Sequence, residues 1–259
     1  MNIASFVTIL LIGLVGSFIS GMLGIGGSIV KYPMLLYIPP LLGVAAFTAH
    51  QVSGISAVQV LFAASSGVLA YRKGDFLHWR LITYMGAAIL VGSFIGAFGA
   101  KFLSEIAINI VYASLATIAA AMMFFPNTSM DDKPISEIPF NRVVATTAAF
   151  VVGLLSGIVG AAGSFILVPI MLVILRIPMR VTIASSLAIT LISSIGTTIG
   201  KLSTGDVLLG PALIMIWASI VGAPIGARLS KKIDTKWLRS ILAVLILATS
   251  IKIWFGVVH

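Results

Sequence analysis

The feature that most constrains this chain is a set of apolar runs too long for a soluble core, at residues 6–22, 81–100, 106–125 and 241–254. A helix rises about 1.5 Å per residue, so roughly 20 such residues cross a hydrocarbon layer about 30 Å thick. Only 9% of the 259 residues are charged and 59% are hydrophobic, whereas a soluble domain carries roughly 25% charged residues. A water-facing globule could not be covered with so little polar surface. The short segments of alternating polarity that build an outer-membrane barrel are missing, so the fold class is all-α, a polytopic membrane protein. The first run has no basic stretch before it and no small-x-small cleavage pattern after it, and reads as a retained helix. Cysteine is absent, which excludes disulfides, thiolate nucleophiles and cysteine-ligated metals. The net charge of +9 fits basic loops held at the cytoplasmic face better than it fits nucleic-acid binding.

Within this class, self-similarity fixes the plan. SGMLGIGGSIVKYP at 20–33 recurs as SGIVGAAGSFILVP at 156–169, so that Ser20, Gly21, Gly24, Gly27, Ser28 and Pro33 match Ser156, Gly157, Gly160, Gly163, Ser164 and Pro169 without a gap. Gly74-Asp75 recurs as Gly205-Asp206. Gly92, Gly96, Ala97 and Lys101 recur as Gly222, Gly226, Ala227 and Lys231. Matches in one order across both halves predict two homologous units, an N-terminal half at 1–125 and a C-terminal half at 142–259. The polar segment 126–141 is read as a cytoplasmic linker. Each half divides into five segments, A to E, near 3–23, 27–38, 44–70, 78–100 and 105–125, then 142–159, 163–175, 181–201, 207–228 and 236–256.

Basic residues test the relative orientation of the halves. The first C–D loop holds Arg72, Lys73 and Arg80, whereas its counterpart has only Lys201. The first D–E loop has Lys101, and its counterpart has Arg228, Lys231, Lys232, Lys236 and Arg239. The uncharged B–C loop around Pro39-Pro40 corresponds to one with Arg176 and Arg180. If basic loops stay inside, equivalent loops lie on opposite faces. The expectation is an inverted-topology repeat of two five-segment halves with broken or short helices at the A–B joints, and both termini extracytoplasmic.

Segment B is too short to span comfortably, and Gly24, Gly26 and Gly27 interrupt the helix without the polar residues of an aqueous loop. Unpaired backbone at that depth survives only where protein or a water-filled cavity satisfies it. A helix restarting at Gly27-Ser28 would point backbone N–H groups and a hydroxyl at an anion, and Gly160, Gly163 and Ser164 would repeat the device. Lys31 on segment B and His50 on segment C are ionisable residues inside apolar segments, which marks them as candidates; Lys31 could equally snorkel to the interface. Gln51 beside His50, and Ser185 and Ser186 in the counterpart, complete the candidate binding set, with helix–helix hydrogen bonding as the ordinary alternative. All seven acids fall in loops or helix ends, leaving no carboxylate at depth for a cation. Gly92, Gly96, Gly222 and Gly226 read as packing faces. Trp79, Trp217, Trp237 and Trp254 read as interface anchors.

At the two joints, and in GSFIGA at 92–97 and GAPIGA at 222–227, the sequence resembles the TauE/SafE family of sulfite exporters and related anion permeases, over nearly the whole chain. The resemblance implies movement of sulfite, sulfonates, sulfoacetate or similar organic anions across the plasma membrane, linked to an ion gradient (H+ or Na+). The chain departs from the family pattern at Ala161-Ala162, where the first half is denser in glycine, and at Lys31, where an aliphatic residue is usual. The leading reading is a secondary transporter of small anions working by alternating access. A passive anion channel shares most of these features. An intramembrane hydrolase would need Ser28 or Ser164 to pair with His50, but the serine is duplicated and the histidine is not. No catalytic residue, metal site or cofactor is read from the sequence. The apolar outer faces suit lipid or a second protomer of a homo-oligomer equally.

Overall fold

The computed structural model describes residues 2–26, 28–71, 76–125, 140–161 and 163–258, with backbone only at Ser164, Val257 and Val258. Among the described residues the chain is helical throughout. Its helices are α1 (Ile3–Leu23), α2 (Ser28–Leu41), α3 (Ala49–Tyr71), α4 (Trp79–Gly99, extended by a 3₁₀ turn Ala100–Phe102) and α5 (Glu105–Met123) in the first half. The second half holds α6 (Arg142–Val159), α7 (Ser164–Pro169, continued by a π turn Ile170–Ile174), α8 (Met179–Ser203), α9 (Leu209–Ser230) and α10 (Thr235–Val258). Eight of these are long and apolar enough to cross a membrane, four in each half; α2 and α7 are not. The linker read at 126–141 falls almost wholly outside the described residues, as do Arg72, Lys73 and Asp75.

Glycines set how the halves join. α1 packs along α9, and α4 along α6. A Cβ on Gly92 would meet the Phe150 carbonyl, and one on Gly96 the Leu154 carbonyl; on the other side, Gly222 meets Leu14 and Phe18, and Gly226 meets Phe18 and Met22. Residue numbers rise together across both contacts, so each pair runs parallel, and only glycine lets the two backbones approach so closely. The packing role read for these glycines is what they perform.

α3 and α8 are the most enclosed of the spanning helices and cross each other in the opposite sense. Gly54 abuts Asp206, Thr198 Oγ1 donates to the Ala57 carbonyl at 3.2 Å, and Gly67 abuts Leu187. α5 and α10 also run antiparallel, with Thr117 against Ser250 and Trp254, and Arg239 donating to the carbonyls of Met123 and Phe125.

These contacts define two faces. The first face gathers the start of α1, whose Ser5 hydroxyl donates to the Val44 carbonyl, with the α2–α3, α4–α5 and α8–α9 connections. The second gathers the start of α8 and the end of α3 around the α9–α10 connection: Arg180 donates to the Lys231 and Ile233 carbonyls, and Lys231 to the Ala70 carbonyl.

Four sequence expectations need correction. Pro39 and Pro40 lie inside the last turn of α2 rather than in a loop: each gives up one helical N–H, and their carbonyls accept from Val44 N and Gly43 N as the helix closes. Arg180 stands in the first turn of α8 rather than in a connection. Lys201 is in the last turn of α8 and fully buried, held there by Asp206 at 3.3 Å. Trp217 sits two turns inside α9, so it faces outward near mid-length and anchors no helix end.

Candidate functional site

The two helix joints are built alike. α1 ends at Gly24 (φ 75°), whose N–H bonds the Ser20 carbonyl, and α6 ends at Gly160 (φ 77°), where Ala161 N bonds the Ser156 carbonyl. The left-handed backbone closes each helix and turns the chain back, and it favours glycine because an L side chain would clash with its own carbonyl. Space makes the same demand. A Cβ on Gly24 would strike the Ile183 backbone and the Ser186 hydroxyl, and one on Gly160 would strike the Ser53 backbone. The two joints thus press on matching positions of α8 and α3.

From each joint the chain returns into the protein and restarts as α2 or α7. The restarts meet: the Ser28 hydroxyl donates to the Ala161 carbonyl at 3.3 Å. Their depth is marked by Tyr112 near the middle of α5. Its hydroxyl donates to the Ile29 carbonyl at 2.5 Å, and its ring lies 4.6 Å from Tyr32 and 5.6 Å from Phe165. The first joint is also tied to α8, where the Ser186 hydroxyl donates to the Gly24 carbonyl at 2.9 Å.

Lys31 is the one basic side chain among the described residues drawn to this centre. It is wholly shielded from solvent, its aliphatic stem lies along Gly16 of α1, and its Nζ donates to the Gly26 carbonyl at 3.1 Å. No described carboxylate is within ion-pair distance. Snorkelling to the interface, the bland alternative for this residue, does not occur. A protonated amine held in protein with one carbonyl for company is incompletely compensated, and in that form it would add positive charge beside the N-terminus of α2.

A second polar group was not legible as a candidate. Gln59 of α3 is fully buried and donates its amide N–H groups to the hydroxyls of Ser17 (2.5 Å) and Ser219 (2.6 Å), which bond each other at 2.9 Å. Gln59 Oε1, Ser20 Oγ, Ser56 Oγ and Thr190 Oγ1 are buried without a hydrogen-bond partner among the described residues. Buried polar atoms left open in this way call for water or a ligand. The signal in the sequence was a second amide two turns beyond Gln51, past Ser53 and Ser56.

Other candidates lie elsewhere. His50 and Gln51 stand at the start of α3 on the first face. His50 Nε2 contacts the Leu103 carbonyl at 3.1 Å and Nδ1 lies 3.8 Å from Asp206, while Gln51 Oε1 caps the helix by accepting from Thr48 N. The imidazole nitrogens of His50 thus face the Leu103 carbonyl and Asp206, and the Ser53 hydroxyl donates to its backbone carbonyl rather than to its ring. Ser185 accepts from His78 N at the start of α4. Gly163 (φ 72°) precedes α7. Gly27 and the Ser164 side chain lie outside the described residues. No group of three metal-ligating acids or histidines occurs among the described residues.

Comparison with known proteins places the architecture. A family model described as Sulfite exporter TauE/SafE matches residues 9–253. The chain is 25% identical to the probable membrane transporter protein YunE of Bacillus subtilis, over 94% of this chain and 95% of that one. It is 26% identical to a probable membrane transporter protein of Xylella fastidiosa (92% and 90% covered) and 24% identical to the probable membrane transporter protein MJ0441 of Methanocaldococcus jannaschii (91% and 90%). No solved structure matches the chain. Duplicated glycine joints, apolar spanning helices and a family match running from α1 to α10 agree: this chain is a multi-pass membrane protein of the sulfite exporter TauE/SafE family.

Proposed function

We propose that the protein is a secondary transporter that carries small anions, sulfite, sulfonates or related organic anions, by alternating access. The observation that carries this reading is Lys31: a buried lysine amine without a carboxylate partner among the described residues, at the joint where two helices restart against each other. An anion there gains the ammonium, the N-terminal dipole of α2 and the open hydroxyls of Ser20 and Ser56. Family membership and the relatives' names support membrane transport; the site supports a negatively charged solute, and the family's description supports sulfite and related anions.

The halves form an inverted-topology repeat in this proposal, supported by the antiparallel crossing of the equivalent helices α3 with α8 and α5 with α10. The second face, with Arg80, Arg142, Arg176, Arg180, Lys231, Lys232, Lys236 and Arg239, is cytoplasmic. The first face, with Lys101 and Lys201 and both chain termini, is external. Alternating access then consists of rocking one half against the other along α3 and α8, exposing the joints to each side in turn. A coupling ion supplies the driving force.

Uptake and counterflow in proteoliposomes test the proposal, with sulfite, sulfate, thiosulfate, taurine, sulfoacetate and small carboxylates as solutes. Saturable exchange of one chemical group, lost in Lys31→Met, is the expected result. Flux of no anion under any gradient would refute it, and flux that never saturates would make the protein a channel.

A further inference from the structure

The two halves differ sharply at one place on their outer surface. The stretch GSFIGAFGAK of α4 corresponds to GAPIGARLSK of α9, so Phe94 and Phe98 have Pro224 and Arg228 as counterparts, while Lys101 matches Lys231. In the first half the two phenylalanines stack, with centroids 6.5 Å apart, and Lys101 Nζ rests 4.1 Å from the Phe98 ring. They close the surface where α4 meets α8; Gly200 of α8 lies against their backbone. In the second half both plugs are gone. Between α3 and α9 lies an open groove of about 500 Å³, lined by Ser66, Leu69, Ile220, Pro224, Arg228 and Lys231.

The groove has an apolar floor and a cationic end. Leu69 and Ile220 are large apolar side chains exposed at its walls. Pro224 has no N–H to give the Ile220 carbonyl, which leaves a smooth notch in the helix side. Lys231 Nζ donates to the Ala70 carbonyl at 2.7 Å and lies 5.1 Å from the Tyr71 ring. Arg228 is exposed and has no hydrogen-bond or ion-pair partner among the described residues. The two cations sit at the end of α9, on the face that also carries Lys232, Lys236 and Arg239, at the level where lipid headgroups begin.

We infer that this groove is a binding site for an anionic phospholipid, one acyl chain lying along Leu69, Ile220 and Pro224 and the phosphate held by Arg228 and Lys231. Charge complementarity selects the occupant. A zwitterionic lipid would carry its own ammonium to the two cations, whereas an anionic headgroup leaves the phosphate free for them. The guanidinium supplies the paired donors that a phosphate oxygen edge accepts. At the corresponding place in the first half stand the stacked rings of Phe94 and Phe98.

Native mass spectrometry of delipidated protein with phosphatidylglycerol, phosphatidylcholine or inorganic phosphate tests the inference, together with thermal stabilisation by the same three probes. Wild type should retain and be stabilised by phosphatidylglycerol in preference to phosphatidylcholine, and phosphate alone should do neither. Arg228→Gln should lower that preference about fivefold. Pro224→Phe combined with Arg228→Phe, which copies the plug of the first half, should abolish it. If the double variant does not fold, Arg228→Gln decides, because that side chain is exposed and bonds nothing among the described residues. Equal retention of the two lipids by wild type, an undiminished preference in Arg228→Gln, or stabilisation by phosphate as strong as by phosphatidylglycerol would each overturn the inference.

Discussion

Replacing Lys31 by methionine should make the protein more stable and a poorer binder, and the combination is what gives the experiment its force. Methionine keeps the unbranched stem that lies along Gly16 and removes only the ammonium. A lysine at mid-membrane depth costs about 2.5–3.5 kcal/mol on insertion scales. The bond to the Gly26 carbonyl returns about 1.5–3 kcal/mol of that, as a hydrogen bond to a charged group. The remainder is about 1 kcal/mol of strain in the empty site, so Lys31→Met should raise the melting temperature by about 2–4 °C for a chain of this size. Binding moves the other way. Losing the cation that faces an anion costs about 2–3 kcal/mol, a fall in affinity of about 30- to 150-fold.

Both arms are read from one titration. Purified wild type and Lys31→Met are melted in detergent over a series of concentrations of the transported anion. Anion stabilises wild type by RT ln(1 + [L]/Kd), so the two melting curves start with the variant above and cross as anion is added. Refutation is equally plain. A variant that is destabilised without anion, and binds the anion with unchanged affinity, would make Lys31 a structural tether between α2 and its own joint.

The remaining predictions concern packing, sidedness and the joint. Gly96→Ala should destabilise by about 1–3 kcal/mol, because its Cβ would meet the Leu154 carbonyl. Gly99→Ala, one turn along the same helix with nothing nearby, should be neutral or stabilising by about 0.5–1 kcal/mol. Equal melting temperatures would contradict the close α4–α6 approach. The chain has no cysteine, so single cysteines at Arg80 and Lys232 should both react with an impermeant maleimide from the cytoplasm and one at Lys101 only from outside; Arg80 and Lys232 reacting from opposite sides would refute the sidedness. Ser28→Leu should abolish anion flux while the protein still reconstitutes as a folded species, since the hydroxyl's contact to Ala161 is lost where the two restarts meet; undiminished flux would move the site away from the joint.

Much of the architecture was legible because membranes restrict the choices. Long apolar runs set the helices, and in lipid only a helix can satisfy its own backbone, so α1 and α6 fall where the runs place them. The glycines at 92, 96, 222 and 226 could be assigned to packing from spacing alone. Helix ends were less legible. Pro39 and Pro40 suggest a loop by type, yet they sit in the last turn of α2, where the lost N–H bonds are few and both carbonyls still find donors in Val44 N and Gly43 N. Lys201 suggests a loop by charge, yet Asp206 five residues later closes back on it. The sequence marks the charge in each case, but the pairing that permits its burial depends on the fold.

The site itself was half legible, and the reason lies in the duplication. Searching for what repeats finds the joints, since Gly24 and Gly160 must each turn a chain against a neighbouring backbone. It is blind to what does not repeat. Lys31 corresponds to Leu167 in the aligned motif. The matching pressure of Gly24 on Ile183 and of Gly160 on Ser53 aligns α3 with α8, so that Gln59 corresponds to Ile189. Ser17 likewise corresponds to Gly153, and Ser219 to Ile89. Every polar member of the Gln59 cluster therefore has an apolar counterpart or none. A scaffold of two equal halves requires the glycines twice, whereas one bound anion requires its cation once. On the proposed function the repeated glycines and serines frame the joints and the unrepeated Lys31 supplies the charge, so a symmetric solute centred between the joints would leave Lys31 without a purpose. Grafting the pair, Leu167→Lys with Lys31→Leu, moves the cation to the other half; if the anion follows the charge, binding should survive in the swapped protein, and complete loss of binding in a folded swap would show that the Gln59 cluster, not the ammonium, fixes where the anion sits.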